Sequence, residues 1–181
     1  MSGPVVPGCD HGADMARLAT IGVYGFDQQG FLSALLENEV SVLLDVRQRR
    51  GVRGQEYAWA NSLRLQAALA EAGIAYRHLP ELAPTTELRQ LQYAADAEQG
   101  VGKRNRAELA PAYVEGYERE ILAPADLEPV LDALPERGAA ALLCVEADPE
   151  ACHRSLIADR VAAEHGVDVA HLRPPRAGGA S

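Results

Sequence analysis

The sequence predicts a single α/β domain with a mostly parallel sheet of about five strands and helices on both faces. Three observations carry this. Apolar strand-like runs alternate with segments of helical spacing, as in chains that build parallel sheets through right-handed crossovers. The run VSVLLDV at 40–46 is almost continuously apolar and rich in β-branched residues, which suits a strand covered on both faces. The chain has 181 residues, 48% of them hydrophobic, enough for one domain with a real core.

Taken in order, residues 1–16 are rich in Gly, Pro and Asp and read as a flexible tail, with Met15 an alternative start. The domain is expected over 17–173. RLATIGVYG at 17–25 reads as the first strand, ending in a glycine turn. Asp27 suits the N-cap of the next helix, where Phe31, Leu32, Leu35 and Leu36 recur at helical spacing. The second strand, 40–46, leads into the polar loop RQRRGVRGQEY at 47–57, which carries Arg47, Arg49, Arg50 and Arg53. Asn61 or Ser62 caps a helix that Gly73 ends. IAYRHL at 74–79 is a third strand, stopped by Pro80. Thr85 and Thr86 open a helix over 86–97, and EQGVGKRN at 98–105 is a basic, glycine-bearing connection. Helices over 107–121 and 125–136 form an extra block between strands three and four. AAALLCV at 139–145 is the fourth strand. A helix over 151–165 follows Pro149, VDVAHL at 167–172 closes the sheet, and 174–181 reads as a disordered end.

The formal net charge is −9, which argues against sequence-independent nucleic-acid binding, because phosphate contacts need clustered Lys and Arg. Lys103 is the single lysine, so the positive charge is almost all arginine, suited to planar, bidentate recognition of anions. A GC-rich coding sequence explains the arginines equally well. The three cysteines, Cys9, Cys144 and Cys152, match no disulfide framework. There is no secretory leader pattern and no apolar stretch near the roughly 20 residues that span a bilayer. A cytoplasmic protein with reduced thiols and no membrane partner is expected. The sequence implies no cofactor and leaves the oligomeric state open.

Ligands of open α/β sheets bind beyond the carboxyl ends of the strands. Tyr24 falls at the end of strand one, Asp45 and Arg47 at strand two, Glu81 at strand three, and Cys144 and Glu146 at strand four. Cys152, His153 and Arg154 open the helix that follows.

The stretches TIGVYG (20–25), FLSALLENEVSVLLDVR (31–47), LAEAGIAYRHLPEL (69–82) and ALLCVEADPEACHRSLIADRV (141–161) resemble the DUF488 family, a prokaryotic group named for its unknown function. The Cys-x-Glu…Cys-His-Arg pattern of the last stretch is the most specific signature, and DVR after an apolar strand the second. The resemblance spans about residues 20–172 and implies an α/β fold without a secure reaction. Relatives are sometimes labelled as DNA-repair proteins. Many members carry TIGHS where this chain has Thr20-Ile21-Gly22-Val23-Tyr24, and ELGG where it has Glu81-Leu82-Ala83-Pro84. Both departures fall at the expected site.

The candidate residues support more than one chemistry. Asp45 and Arg47 share a strand face, either as an ion pair tying strands together or as an acid or base with an anion clamp. Asp45 and Glu146, if they converge, divide nucleophile and acid roles as glycosyl-transferring enzymes require. Cys144 suits a small buried hydrophobe. At the helix start, anion binding by backbone N–H groups with Arg154 ranks first and a reactive Cys152 thiolate second. Zinc held by Cys144, Cys152, His153 and a carboxylate ranks third, since neighbouring Cys and His side chains on a helix diverge. Tyr57 and Trp59 beside the loop arginines suit a base or nucleotide. His78 and His171 read as core histidines. The leading expectation is an enzyme that acts on a nucleotide, nucleoside or related small anionic ligand by hydrolysis or group transfer. Catalysis would fall to Asp45, Glu146 or Cys152, and binding to Tyr24, Arg47, Tyr57, Glu81, His153 and Arg154. The alternatives are a non-catalytic ligand or nucleic-acid binder, which the net charge does not favour, and thiol chemistry on Cys152.

Overall fold

The computed structural model describes residues 15–176, so the tail expectations for 1–14 and 177–181 lie outside the described residues. Five strands, β1 (Arg17–Ile21), β2 (Val40–Asp45), β3 (Ala75–His78), β4 (Ala139–Leu143) and β5 (Asp168–Leu172), form one sheet in the order β3-β2-β4-β1-β5. Every pairing is parallel. All five residues of β4 are buried, so both faces of the central strand are covered. The larger helices are α1 (Gln28–Glu37), α2 (Ser62–Glu71), α3 (Thr86–Glu98), α4 (Pro111–Tyr117) and α6 (His153–His165), with the single turn α5 (Glu128–Leu131) before β4.

The local signals act largely as their chemistry dictates. Asp27 caps α1 by accepting from the Gly30 N–H at 2.7 Å. Thr85 caps α3 through Leu88 N–H at 3.2 Å. Asn61 occupies the N-cap position of α2, yet its side chain instead accepts from Val52 N–H at 2.8 Å and so pins the arginine loop. The block between β3 and β4 is less helical than its spacing suggests. Pro111 delays α4, which continues as a wider turn over Glu118–Leu122, and α5 keeps only four residues beside Pro129. His171 is exposed on edge strand β5, where its Nδ1 meets Thr20 Oγ1 at 2.8 Å, so it is not a core histidine.

The register sets the working edge. Leu143 lies opposite both Ile21 and Asp45, Ile21 lies opposite Leu172, and Asp45 lies opposite His78, so all five strands end level. Strand β1 stops at Ile21, short of the expected 25, because the chain bends over the end of β4: Val23 N–H and Tyr24 N–H both donate to Val145 O, at 3.0 and 2.9 Å. Gly22 makes that bend possible, since a Cβ there would sit 1.8 Å from the Glu146 carbonyl oxygen. Leu18, Ile21, Leu43, Leu44, Leu142, Ile157 and Val161 fill the core behind the edge, each fully buried. Such a side chain contributes roughly 1.5–3 kcal/mol. Among the described residues no helix is long and apolar enough to cross a membrane.

Candidate functional site

From β2 the chain leaves toward β3 on one side, and from the adjacent β4 it leaves through α6 toward β5 on the other. The carboxyl ends of β2 and β4 therefore flank a topological switch point, where open α/β sheets bind ligands. A cavity of about 440 Å³ opens there, lined by Arg47 from the end of β2 and by Cys144, Glu146, Cys152 and His153 from the segment after β4. That volume suits a small molecule.

The cysteine–histidine cluster forms the floor. Cys152 is the N-cap of α6 and still extended, with φ −142° and ψ 142°. Its side chain consequently turns back toward His153, against the expectation that neighbouring side chains diverge on a helix. His153 Nδ1 lies 3.8 Å from the sulfurs of both Cys144 and Cys152. On the other side of the ring, Nε2 lies 3.0 Å from Val46 O. A carbonyl only accepts, so Nε2 carries the proton and the lone pair of a neutral ring faces the two thiols. Cys144 donates to Glu146 Oε2 at 3.5 Å. All four residues are nearly inaccessible, yet they line the cavity.

Their electrostatics are divided. Burial opposes ionisation of Cys152, but the Cys144 thiol, His153 and Arg154 outweigh it and hold the Cys152 thiol well below its ordinary value. The same contact with Cys152, together with burial, drives Cys144 up. Burial lowers His153, but the negative charge favoured on Cys152 reverses this and raises it. Burial and the nearby Cys152 also raise Glu146, against the pull of Lys103. The two thiols thus shift in opposite directions, and negative charge in the cluster is favoured on Cys152 over Cys144.

Around this floor the walls are cationic. Arg49, Arg53 and Arg89 line the cavity with Lys103 and Arg106, and Glu146 is the one carboxylate among the lining residues. Lys103 Nζ and Arg106 Nη1 approach Glu146 Oε1 at 3.7 and 3.6 Å. Arg106 is held in turn by Asp96, through Nε at 3.0 and 3.1 Å and through Nη2, and Gln92 Nε2 donates to Asp96 Oδ1 at 2.8 Å. Tyr24 and Tyr93 supply aromatic edges. Arg104 lies 5.3 Å from the ring centres of both Tyr24 and Tyr57, which are 5.1 Å apart.

The expected residues thus separate. Tyr24, Arg47, Glu146, Cys152 and His153 meet at the cavity. Tyr57 lies one layer behind, packed on Tyr24. Glu81 is exposed and absent from the lining, although Pro84, at the second departure from the family pattern, is part of it. Asp45 and Arg154 do not line the cavity either. Asp45 is fully buried and grips Arg47, whose Nε and Nη2 donate to its two oxygens at 2.8 and 2.7 Å, while Tyr76 OH donates at 2.6 Å. That geometry is the strand-end ion pair. Arg154 points inward on the buried face of α6 and donates to Glu146 O at 2.6 Å and Ala147 O at 3.0 Å. It shapes the turn that carries Glu146. His78 is half-buried and bonds Arg47 O at 3.0 Å, as a satisfied histidine should. Sequence reasoning missed Arg89, Tyr93 and Lys103 in the lining, and Arg106 with the Asp96 and Gln92 that hold it. For Arg106, Asp96 and Gln92 a signal was present, a polar pair four residues apart on the inward face of α3, preceding a basic connection with the only lysine.

A family model described as "Domain of unknown function DUF488" matches residues 27–161, which include every strand except β1 and β5 and the whole cysteine–histidine segment. No curated protein matched the chain, and no solved structure did.

Proposed function

The chain belongs to the DUF488 family, whose description assigns no activity, and we propose from the site itself that it is an enzyme acting on a small anionic, ring-bearing ligand. A nucleotide or a nucleoside derivative has this chemistry, and hydrolysis or group transfer is the reaction class. The observation that carries the reading is one of charge. A chain of net charge −9 gathers five arginines and its single lysine around one cavity whose floor is a cysteine–histidine–glutamate cluster. Like charges converge at this cost when a ligand of the opposite sign is to be held there. Arg53, Arg89 and Lys103 supply the anion contacts, and Tyr24 and Tyr93 flank a planar ring. Glu146, with Oε1 held by Lys103 and Arg106, is placed to move a proton at the reacting group.

A second reading has its own observation. Cys152 sits at the N-terminus of a thirteen-residue helix beside His153, an arrangement that favours a nucleophilic thiolate. Calorimetric titration with nucleoside monophosphates, free nucleosides and inorganic phosphate tests the first reading. Saturable binding to a phosphorylated compound, weakened about tenfold or more by Arg53→Ala together with Arg89→Ala, supports it. Uniform absence of binding across the panel overturns it. Rapid alkylation of Cys152 in the ligand-free protein, coupled to loss of turnover, selects the second reading.

A further inference from the structure

We propose that Cys144, Cys152 and His153 form a zinc site whose fourth position opens into the cavity, with Glu146 beside that position as the proton carrier for an attacking water. The inference deepens the reading of the cavity as a reaction site, and its test needs no substrate.

Three arguments support it. The first is shape. The ligand atoms Cys144 Sγ, Cys152 Sγ and His153 Nδ1 all lie within 4.8 Å of one another, and both sulfur–nitrogen separations are 3.8 Å. A tetrahedral zinc with bonds of about 2.3 Å to sulfur and 2.0–2.1 Å to nitrogen spaces its ligands roughly 3.6–3.8 Å apart. The cluster needs only a few tenths of an ångström of adjustment at these two edges.

The second is orientation. A zinc-bound histidine usually directs its other N–H to a carbonyl or carboxylate, which fixes the ring. His153 Nε2 does this with Val46 O at 3.0 Å, and the tautomer so fixed turns Nδ1 toward both sulfurs. The bond also ties the site to the end of β2, while its ligands come from the end of β4 and the start of α6. A donor set of two thiols and one imidazole selects zinc over magnesium, calcium or manganese, which prefer oxygen.

The third is the open side. A structural zinc site is closed by four protein ligands, whereas these three residues line a cavity. Glu146 Oε2 is 3.5 Å from Cys144 Sγ, and its Oε1 is held near Lys103 and Arg106. Those cations compete with direct ligation and keep the carboxylate at the edge of the fourth position. In a hydrolysis Glu146 takes one proton from the attacking water and gives it to the leaving group. One water is consumed for each bond broken, and no electron acceptor is required.

Zinc content and cobalt spectra test this on the full chain. Protein purified with zinc present should carry one equivalent, which a strong chelator removes and a titration restores. Cobalt(II) in its place should show thiolate-to-cobalt charge transfer and the intense visible bands of a tetrahedral site. Outer-shell changes commonly weaken zinc sites by 10–100-fold, so loss of a ligand in Cys144→Ser or Cys152→Ser should exceed about a hundredfold. Glu146→Gln should keep the metal. If the ligand variants misfold, chelator-treated wild type provides the readout: zinc should be retaken stoichiometrically and should shield two thiols from alkylation. Substoichiometric zinc, no charge-transfer band and unshielded thiols overturn the site, and metal loss in Glu146→Gln overturns its open position. Neither result depends on anion binding at Arg53 and Arg89, so the two readings fail separately.

Discussion

Replacing Asp45 by Asn asks whether this carboxylate is scaffold or chemistry. Asp45 is fully buried and accepts four bonds, from Arg47 N–H at 3.1 Å, Arg47 Nε at 2.8 Å, Arg47 Nη2 at 2.7 Å and Tyr76 OH at 2.6 Å. Asparagine offers one acceptor oxygen where aspartate offers two, and its NH₂ would face either a guanidinium or the Tyr76 hydroxyl. The larger loss is of charge, because Arg47 is only 2% exposed and would be left without its counter-ion. Breaking a buried pair from one side costs about 3–5 kcal/mol. With a urea slope near 2 kcal/mol/M, the unfolding midpoint should fall by about 1.5–2.5 M. Equilibrium urea unfolding followed by circular dichroism reads this directly. Asp45→Leu combined with Arg47→Met removes both charges and should be no less stable than the single variant. A loss below about 1 kcal/mol for Asp45→Asn would refute the structural account and return Asp45 to the list of chemical groups.

Three other outcomes follow from the same geometry. Arg154→Met deprives the Glu146 and Ala147 carbonyls of their donors, and stability should drop by about 2–5 kcal/mol in the same assay. Gly22→Ala places a Cβ 1.8 Å from the Glu146 carbonyl oxygen, a backbone clash that should cost more than the roughly 1 kcal/mol expected of Gly73→Ala, where the strain is one of φ alone at 75°. Asp96 is held below its ordinary value: burial opposes this, but Arg106 and Gln92 prevail. A depressed carboxyl stabilises the fold above its unfolded value of about 3.9 and loses that contribution as pH falls through the folded value. The stability gap between wild type and Asp96→Asn should therefore be level from about pH 5 to 7 and shrink below about pH 4. A gap that widens in acid contradicts the assignment.

Much of the architecture is written in the chain because its signals are local. The apolar runs at 40–46 and 139–145 become central strands, and Asp27 and Thr85 cap the helices they precede. The shared edge was legible for the same reason, since strand ends in a parallel sheet place their residues without knowledge of side-chain direction. Direction was harder. Arg154 shares its helix face with Ile157, Ala158 and Val161, a spacing of three, four and seven, so the pattern that buries it was present but overridden by its charge. The meeting of Cys152 and His153 depends on an extended N-cap residue, a backbone state that adjacency alone does not reveal. Arg106 and Asp96 meet across ten residues of chain through the turn after α3, so no periodicity links them.

The most direct test of the cationic cavity as a ligand site is a crystal structure of the protein soaked with a nucleoside monophosphate that binds in solution. The account predicts density inside the cavity, with the phosphate within hydrogen-bond reach of Arg53, Arg89 or Lys103 and the reacting end toward Glu146 and Cys152. A nucleotide ordered elsewhere on the surface, with the cavity unfilled at saturating concentration, would contradict it.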